Sequence, residues 1–567
     1  MSKITSIIVC LCIVSLPFLY SISGDILANE LISSLLVFLL LFVVGIQLIY
    51  TLFQRGEKIV YINIVDILVA SFFFYCLFCI LINREWETDK YLIYKWSAVI
   101  LSYIFFRNCH CSRINLLIAC CISGIFQSII AICQDNGLIA SRNLTFDVTG
   151  SFNNPGPLGG YIAICCTITI GLLYYVIKNK RNMISFFLSV ALFIQLYGLY
   201  LTESRAAILS LVSGCLFVAL NSILLKKITR KNKKRLFIIA GLVFIVGGWL
   251  IYQYKSASAD GRLLIWRVSA DMIADAPFFG YGVNGFSKEY MIFQANYFKE
   301  TPTSYFVPVA DNVVYPFNEF IRIWIQYGGV GLLLVILLVY SIWVNSNKSE
   351  ESDIMKAGLS ALLIFSFFSY PFSVFPLLLF YPFLCGLIKY RIYCNFRITS
   401  LKRILMILMI VILMIRTSKD ILFLESVSCS LLTLYEKDGS DISHSDYEKI
   451  KGNANFNDYY ATWLIQRSET KNERLKGIYP SCETYCLLGN YYIEHGDYKL
   501  AEYYFQEASF MIPTRMRPKY NLWELYKDIG QSEKAIEIAN AILAMELKIE
   551  SAYTLRMKRR IKEYYKY

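Results

Sequence analysis

Long apolar runs separated by short polar loops dominate the first 416 residues. Each run holds roughly 18–25 residues, enough to cross a bilayer as a helix. They predict membrane helices near 4–22, 31–53, 59–82, 91–107, 114–133, 158–177, 183–201, 205–225, 236–254, 318–346, 355–371, 374–390 and 401–416. That makes about 12–13 crossings. The first run lacks a small-residue cleavage site and reads as a membrane helix rather than a signal peptide. One polar stretch, 255–317, interrupts the series and is expected to be a large loop. Loops of more than about 12–15 residues in a compact domain are mostly functional or disordered. Its Trp, Tyr, Phe and Gly content argues against disorder.

From Thr417 the apolar runs stop, and 417–567 reads as a separate soluble helical unit. Within it Leu488 and Leu522, Tyr492 and Tyr526, Gly496 and Gly530, and Ala501 and Ala535 each recur 34 residues apart. With Gly489, Ala508 and Pro513 they resemble the tetratricopeptide pattern of two antiparallel helices per repeat. The repeat is clearest over 480–547, and the segment 459–476 is expected to supply a degenerate unit. Such an array suggests a protein partner.

Composition supports a membrane protein. Only 17% of residues are charged, against about 25% in soluble domains. The net charge of +13 would suggest nucleic acid in a soluble chain. Here the excess sits in alternate short loops, so no nucleic-acid partner is expected. Those loops hold Arg55 and Lys58, Arg107 and Arg113, Lys178 to Arg181, Lys226 to Arg235, Lys348 and Lys356, and Lys389 to Arg403. The intervening loops are neutral or acidic, with Asp25, Glu85, Glu87, Asp135 and Asp147. The positive-inside rule then places the N-terminus in the cytoplasm. The loop 255–317 and the C-terminal unit fall on the opposite face of the membrane. The 17 cysteines lie mostly inside apolar runs, without metal spacing or a disulfide framework. No metal and no cofactor is expected.

Candidate chemistry gathers on the outer face. Gly150-Ser-Phe-Asn153-Asn154-Pro precedes the sixth run, and Thr202-Glu-Ser-Arg205 separates the seventh and eighth. Arg262, Trp266 and Arg267 follow in the large loop, and Asn318-Glu319 opens the next helix. An arginine at a membrane-helix end on a face poor in positive charge is a functional candidate. The bland alternatives are a snorkelling side chain for Arg205 and solvated loop residues for Arg262 and Arg267. Several guanidinium groups at a membrane surface suit a diphosphate, because each binds phosphate oxygens bidentately and stays charged.

Ser151-Phe-Asn-Asn-Pro155, Ser204-Arg205, Arg262-x-x-x-Trp266, Pro277-x-x-Gly-x-Gly282 and Asn318-Glu319 with Gly328-x-x-Gly331 occur in order. This set resembles the O-antigen ligase and O-antigen polymerase superfamily of envelope glycan assembly, which also includes protein O-oligosaccharyltransferases. The resemblance spans roughly 140–345 in motif and 1–416 in topology. It implies an all-α, glycosyltransferase C-like polytopic membrane domain over 1–416. It also implies metal-independent transfer of a glycan from an undecaprenyl-diphosphate carrier to an acceptor hydroxyl. The acceptor could be lipid A core, a growing glycan or a protein.

On the resemblance, Arg205 and Arg262 bind the diphosphate and stabilise its charge as it leaves. Asn153, Asn154, Trp266, Arg267 and Asn318 contact substrate, with Trp266 placing the loop or stacking on a sugar. Many ligases carry a histidine just before the motif asparagine, to activate the acceptor. This chain has Phe317 there, which leaves Glu319, or another carboxylate such as Asp311, to take the proton. Glu319 could equally be a first-turn carboxylate favoured by the helix dipole. A lipid-linked glycan transporter should instead carry paired charges at mid-membrane. Asp66 is its candidate, with no obvious partner. A non-enzymatic scaffold has no use for clustered outer arginines.

Overall fold

The computed structural model describes residues 3–19, 58–82, 90–221, 256–416 and 480–565, apart from positions 110, 142, 144, 400, 401 and 546–550, with a few more between 45 and 52. The expected spans at 31–53 and 236–254, the basic loop at 226–235 and the segment 459–476 lie wholly or largely outside these residues. The described residues are helical apart from two short paired strands and a few turns. Among the described residues, five helices are long and apolar enough to cross a membrane: Ile64–Ile82, Arg113–Asp135, Pro155–Lys178, Asn182–Leu201 and Glu319–Asn345. The chain is an all-α, multi-pass membrane protein.

The Pro155–Lys178 helix is the hub of the bundle. It packs against Arg113–Asp135, Asn182–Leu201, Arg205–Asn221 and Glu350–Phe368. Asn154 starts it: its side chain accepts from the Gly156 N–H at 2.8 Å, and Pro155 occupies the first turn, where no backbone N–H is needed. Leu158, Ile162, Cys165, Cys166 and Ile168 along it are fully buried. The cysteines here are small apolar fillers.

The described basic loops, at Arg113, Lys178 and 347–389, gather at one end of this bundle. Arg113 pairs with Glu351 at 3.4 Å, and Lys178 pairs with Glu350. The Asn347 N–H donates to the Lys389 carbonyl at 2.7 Å. The Thr202–Ser204 turn and the first turn of Pro155–Lys178 lie at the other end, in contact with each other.

Several elements differ from the sequence expectation. The helix expected from 59 starts at Ile64. Residues Lys58–Ile62 form a strand paired antiparallel with Cys394–Ile398, an ambiguity common to short apolar runs. The span expected over 374–390 is broken into Pro371–Ser373, Phe375–Leu378 and Phe380–Leu387. Pro371, Pro376 and Pro382 interrupt helical hydrogen bonding there. Asp66 is neither at mid-membrane nor unpaired. It lies in the first turn of its helix and accepts from the Tyr103 hydroxyl at 2.6 Å and from Arg107 Nε at 3.3 Å.

The largest difference is at 255–317. This stretch is no open loop: it folds into the helices Ser256–Asp275 and Gly285–Glu300 and a short turn at Val307–Val309. Leu264, Ile265, Val268 and Met272 recur at helical spacing and are buried against Phe286, Tyr290, Ala295 and Phe298. Burial against one another, rather than in lipid, is why so polar a sequence forms helices here.

Two motifs meet in one joint. The Glu319–Asn345 helix breaks at Gly328, where φ is 65° and ψ is −173°. The break frees backbone groups that the helix would have satisfied, and the Pro277–Gly282 turn takes them. Tyr281 N–H donates to the Ile325 carbonyl at 2.8 Å and Gly282 N–H to the Gln326 carbonyl at 3.0 Å. In return Gly329 N–H donates to the Pro277 carbonyl at 2.8 Å, and Trp324 Nε1 to the same oxygen at 3.1 Å. Gln326 Nε2 donates to the Val283 carbonyl. Gly280 is also left-handed, with φ 70°. The exchange pins residues 277–282 to a membrane helix and gives partners to backbone groups that the break frees.

The C-terminal helices are Cys482–Glu494, Tyr498–Met511, Met516–Asp528, Ser532–Ala544 and Ala552–Tyr565. The first four form two pairs in register with the 34-residue spacing. Gly496 and Gly530 take left-handed φ values of 77° and 76° at the turns, and Ala501 and Ala535 are buried where the helices approach. Cys482, Cys486, Ala508, Met511 and Ile512 enter the same apolar core as Leu264, Tyr290 and Phe298. The C-terminal helices therefore lie on the same side of the membrane bundle as residues 256–317.

Candidate active site

The sharp turn at Thr202–Ser204 presents Arg205. Thr202 Oγ1 accepts from the Ser204 N–H at 3.3 Å, and Glu203 takes a left-handed φ of 48°. The Ser204 carbonyl accepts from Ala207 and Ile208, so Arg205 stands at the first turn of its helix. Arg262 comes from the second turn of the Ser256–Asp275 helix and approaches Arg205 closely enough for the two charges to repel. Burial first, then the Arg205 charge, push the Arg262 guanidinium down to about 10, opposed by the Tyr370 hydroxyl. At neutral pH it is still a cation. Two cations within electrostatic reach of each other make a place that an anion of several oxygens would stabilise.

Aromatic rings surround this point. Arg262 lies over the Phe317 ring at 5.3 Å. Phe317 meets Tyr370 edge-on at 5.4 Å, and Tyr370 stacks on Tyr315 at 4.8 Å and 11°. Phe317 has φ 51°, a rare conformation for a bulky residue, and its neighbours hold it there. On one side Trp266 Nε1 donates to the Pro316 carbonyl at 2.9 Å. On the other, Asn318 Oδ1 accepts from the Phe320 and Ile321 N–H groups at 2.9 and 3.1 Å and so starts the membrane helix. An open cleft of about 450 Å³ runs from Arg262, Phe317 and Tyr315 to Asp311, Asn312 and Gln294.

The other sequence candidates divide. Trp266 is one helical turn from Arg262, on the same face, and its ring packs against Phe367 and Phe368 at 6.0 and 6.4 Å. Arg267 lies roughly 140° round the helix from Arg262; it is exposed and pairs with Asp271 at 3.2 Å. Asn154 and Asn318 use their side chains as helix caps, and the Asn153 carbonyl accepts from Asn143 Nδ2 at 3.0 Å. The loop that carries Asn153 is held by two buried glutamines. Gln134 Oε1 accepts from the Thr149 and Gly150 N–H groups, and Gln127 Oε1 accepts from Ser151. Arg262 and Asp311 line the cleft, whereas Arg205, Asn153, Asn154, Trp266, Arg267 and Asn318 do not.

Glu319 also stands apart from the cleft. It is 2% exposed, and its Oε1 accepts from the Phe372 N–H at 2.7 Å. Its Oε2 is 3.6 Å from Arg322. Arg322 in turn donates to Ser373 Oγ at 2.7 Å and lies over the Tyr315 ring at 5.8 Å. Sequence reasoning missed Arg322, although an arginine one turn inside the same end of an apolar helix carries the signal that singled out Arg205. Glu319 and Arg322 tie the Tyr370–Ser373 segment to the helix start, and thereby place Tyr370 and Tyr315.

Trp266→Phe keeps the aromatic packing and removes the bond to Pro316. It is expected to cost about 1 kcal/mol, read as a lowered Tm of the purified full chain. Trp266→Ala should cost about 3 kcal/mol or more, through lost packing.

Residues 188–336 match the O-antigen ligase family, through its Wzy_C domain. The match takes in Arg205, Arg262, Trp266, the Pro277–Gly282 turn, Asn318 and the Gly328 break. No match to a curated protein was found. This match supports the O-antigen ligase superfamily for residues 188–336.

Proposed function

We propose that this O-antigen ligase-like protein moves a glycan from a polyprenyl-diphosphate carrier, of the undecaprenyl type, to an acceptor hydroxyl. The reaction takes place on the periplasmic face of the bacterial inner membrane. The observation that carries this reading is that Arg262 lines an open cleft beside the Phe317 ring, with Arg205 near enough for the two charges to interact. In the reaction the acceptor oxygen bonds to the anomeric carbon as the bond from that carbon to the diphosphate oxygen breaks. The carrier diphosphate leaves with the bonding pair. Arg205 and Arg262 stabilise the charge that grows on it, which is preorganised electrostatic catalysis without a metal. The acceptor proton passes to the departing diphosphate. Phe317, Tyr315 and Tyr370 form a wall on which a sugar ring stacks. Glu319 serves to position Arg322 and Tyr370 rather than to take the proton.

The acceptor class is separated by complementation. Cells lacking the native protein are given the wild type or Arg205→Ala, and glycoproteins, lipopolysaccharide and surface polysaccharide are blotted in parallel. The expected result is loss of glycan from one class at normal membrane levels of the variant, with accumulation of carrier-linked donor. Lost lipopolysaccharide glycan names a ligase, lost glycoprotein an oligosaccharyltransferase, and shortened chains a polymerase. Normal products with Arg205→Ala would overturn the assignment of that residue.

A further inference from the structure

We infer that the C-terminal helices form part of the transfer site, through Gln294, which acts as a positioning residue for the outer rim of the cleft. The inference rests on the proposed function for the identity of the substrate. Gln294 is fully buried on the Gly285–Glu300 helix and also lines the cleft. Its Oε1 accepts from the Tyr290 hydroxyl at 2.9 Å. Both amide hydrogens are used: Nε2 donates to the Asp311 carbonyl at 3.2 Å and to the Met511 carbonyl at 2.6 Å. One side chain therefore joins the outer segment, the cleft rim and the C-terminal helices.

The neighbouring contacts reinforce the joint. The Cys482 N–H donates to Asn312 Oδ1 at 3.4 Å, and Arg515 pairs with Asp311 at 3.2 Å. Farther along the same outer helix, Lys299 pairs with Glu507 at 2.6 Å. The charge pair at Asp311 is half exposed and worth little alone. The buried amide is different, because losing it removes the partner of the buried Met511 carbonyl and releases the Asp311 carbonyl at the rim. The rim runs from Asp311, against the C-terminal helices, to Phe317, at the head of a membrane helix. A lipid carrier anchors its diphosphate at the membrane end, beside Arg262. Its glycan then extends along the cleft toward Gln294 and Asp311. Displacing that end of the rim should weaken glycan binding more than it slows the chemical step.

The test uses the full-length protein in lipid nanodiscs. Gln294→Glu conserves shape but cannot donate to either carbonyl. Hydrogen exchange over 309–316 is compared with the wild type. Initial transfer rates are measured against the concentration of polyprenyl-diphosphate-linked glycan extracted from the source cells. The expected result is faster exchange over 309–316 and a KM for the donor raised about tenfold, with kcat within about threefold. Gln294→Met, which neither donates nor repels, should fall between the two. The pair Lys299→Glu with Glu507→Lys should leave both readouts near wild type. Faster exchange with unchanged kinetics, a fall in kcat at unchanged KM, or unchanged exchange would each overturn the inference. Should Gln294→Glu not fold, Gln294→Met decides by the same readouts. Arg262→Ala is run alongside: if it transfers normally the proposed chemistry fails, while exchange over 309–316 still decides whether Gln294 holds the rim.

Discussion

Arg262→Ala is expected to reduce glycan transfer at least about a hundredfold, with the loss mainly in kcat. The variant should fold as well as the wild type, and the direction of the Arg262 pKa says why. Its folded value, about 10, lies below the ordinary arginine range because of burial and Arg205. A base with a depressed pKa costs folding free energy while it is held as a cation, at neutral pH. That cost fades only as pH rises through about 10 toward the unfolded value. Removing the guanidinium therefore relieves the fold while it removes the charge that stabilises the leaving diphosphate. Lost transfer with an unchanged or raised Tm is the signature of a functional cation. Lost transfer with a lowered Tm would mark Arg262 as structural. Arg262→Lys should recover only part of the rate, since an ammonium lacks the planar fork that binds two oxygens.

The second large effect is structural. Gly328→Ala is expected to destabilise the protein by about 3 kcal/mol or more and to deplete it from membranes. Two costs coincide there: a left-handed backbone, and an added Cβ that would overlap the Phe278 carbonyl. Gly280→Ala should behave alike, since its Cβ would overlap the Ile325 carbonyl across the same joint. Gly329→Ala is the control. Its Cβ would lie 3.3 Å from the Pro277 oxygen, tight but adjustable, and the expected cost is below about 1 kcal/mol. Membrane levels by immunoblot and Tm of the purified variants check the contrast. Equal effects at 328 and 329 would show that the interlocked backbones do not matter.

Much of the membrane domain was legible because lipid imposes a simple rule, a run of apolar residues of bilayer length. The start of Pro155–Lys178 is written in Asn154 and Pro155. Prolines 371, 376 and 382 break the span expected over 374–390, a signal that reading by apolar length passed over. What local pattern does not carry is contact between distant segments. Pro277-x-x-Gly-x-Gly and Gly328-x-x-Gly looked like two separate motifs, yet their glycines serve one backbone exchange. The helices within 255–317 were hidden because their apolar face, Leu264 to Met272, is short and set in polar and aromatic residues.

At the site, charge at a membrane edge was the readable signal. It singled out Arg205, while Arg262, read as a loop arginine, lies within electrostatic reach of it; the same signal was not applied to Arg322. Proximity in sequence misled elsewhere. Arg267 adjoins Trp266 in the chain but points away from Arg262, because consecutive helical residues face different directions. Glu319 adjoins Asn318 yet is turned inward to the Phe372 N–H. Side-chain direction of this kind is set by tertiary packing, which a single sequence does not display.

The most direct test of the central claim is binding of undecaprenyl diphosphate to the full chain in nanodiscs, wild type beside Arg205→Ala and Arg262→Ala. If the two guanidinium groups share one diphosphate, each variant should bind at least about tenfold more weakly at unchanged fold. The wild type should also prefer the diphosphate to the monophosphate. Equal binding by all three proteins would contradict the account.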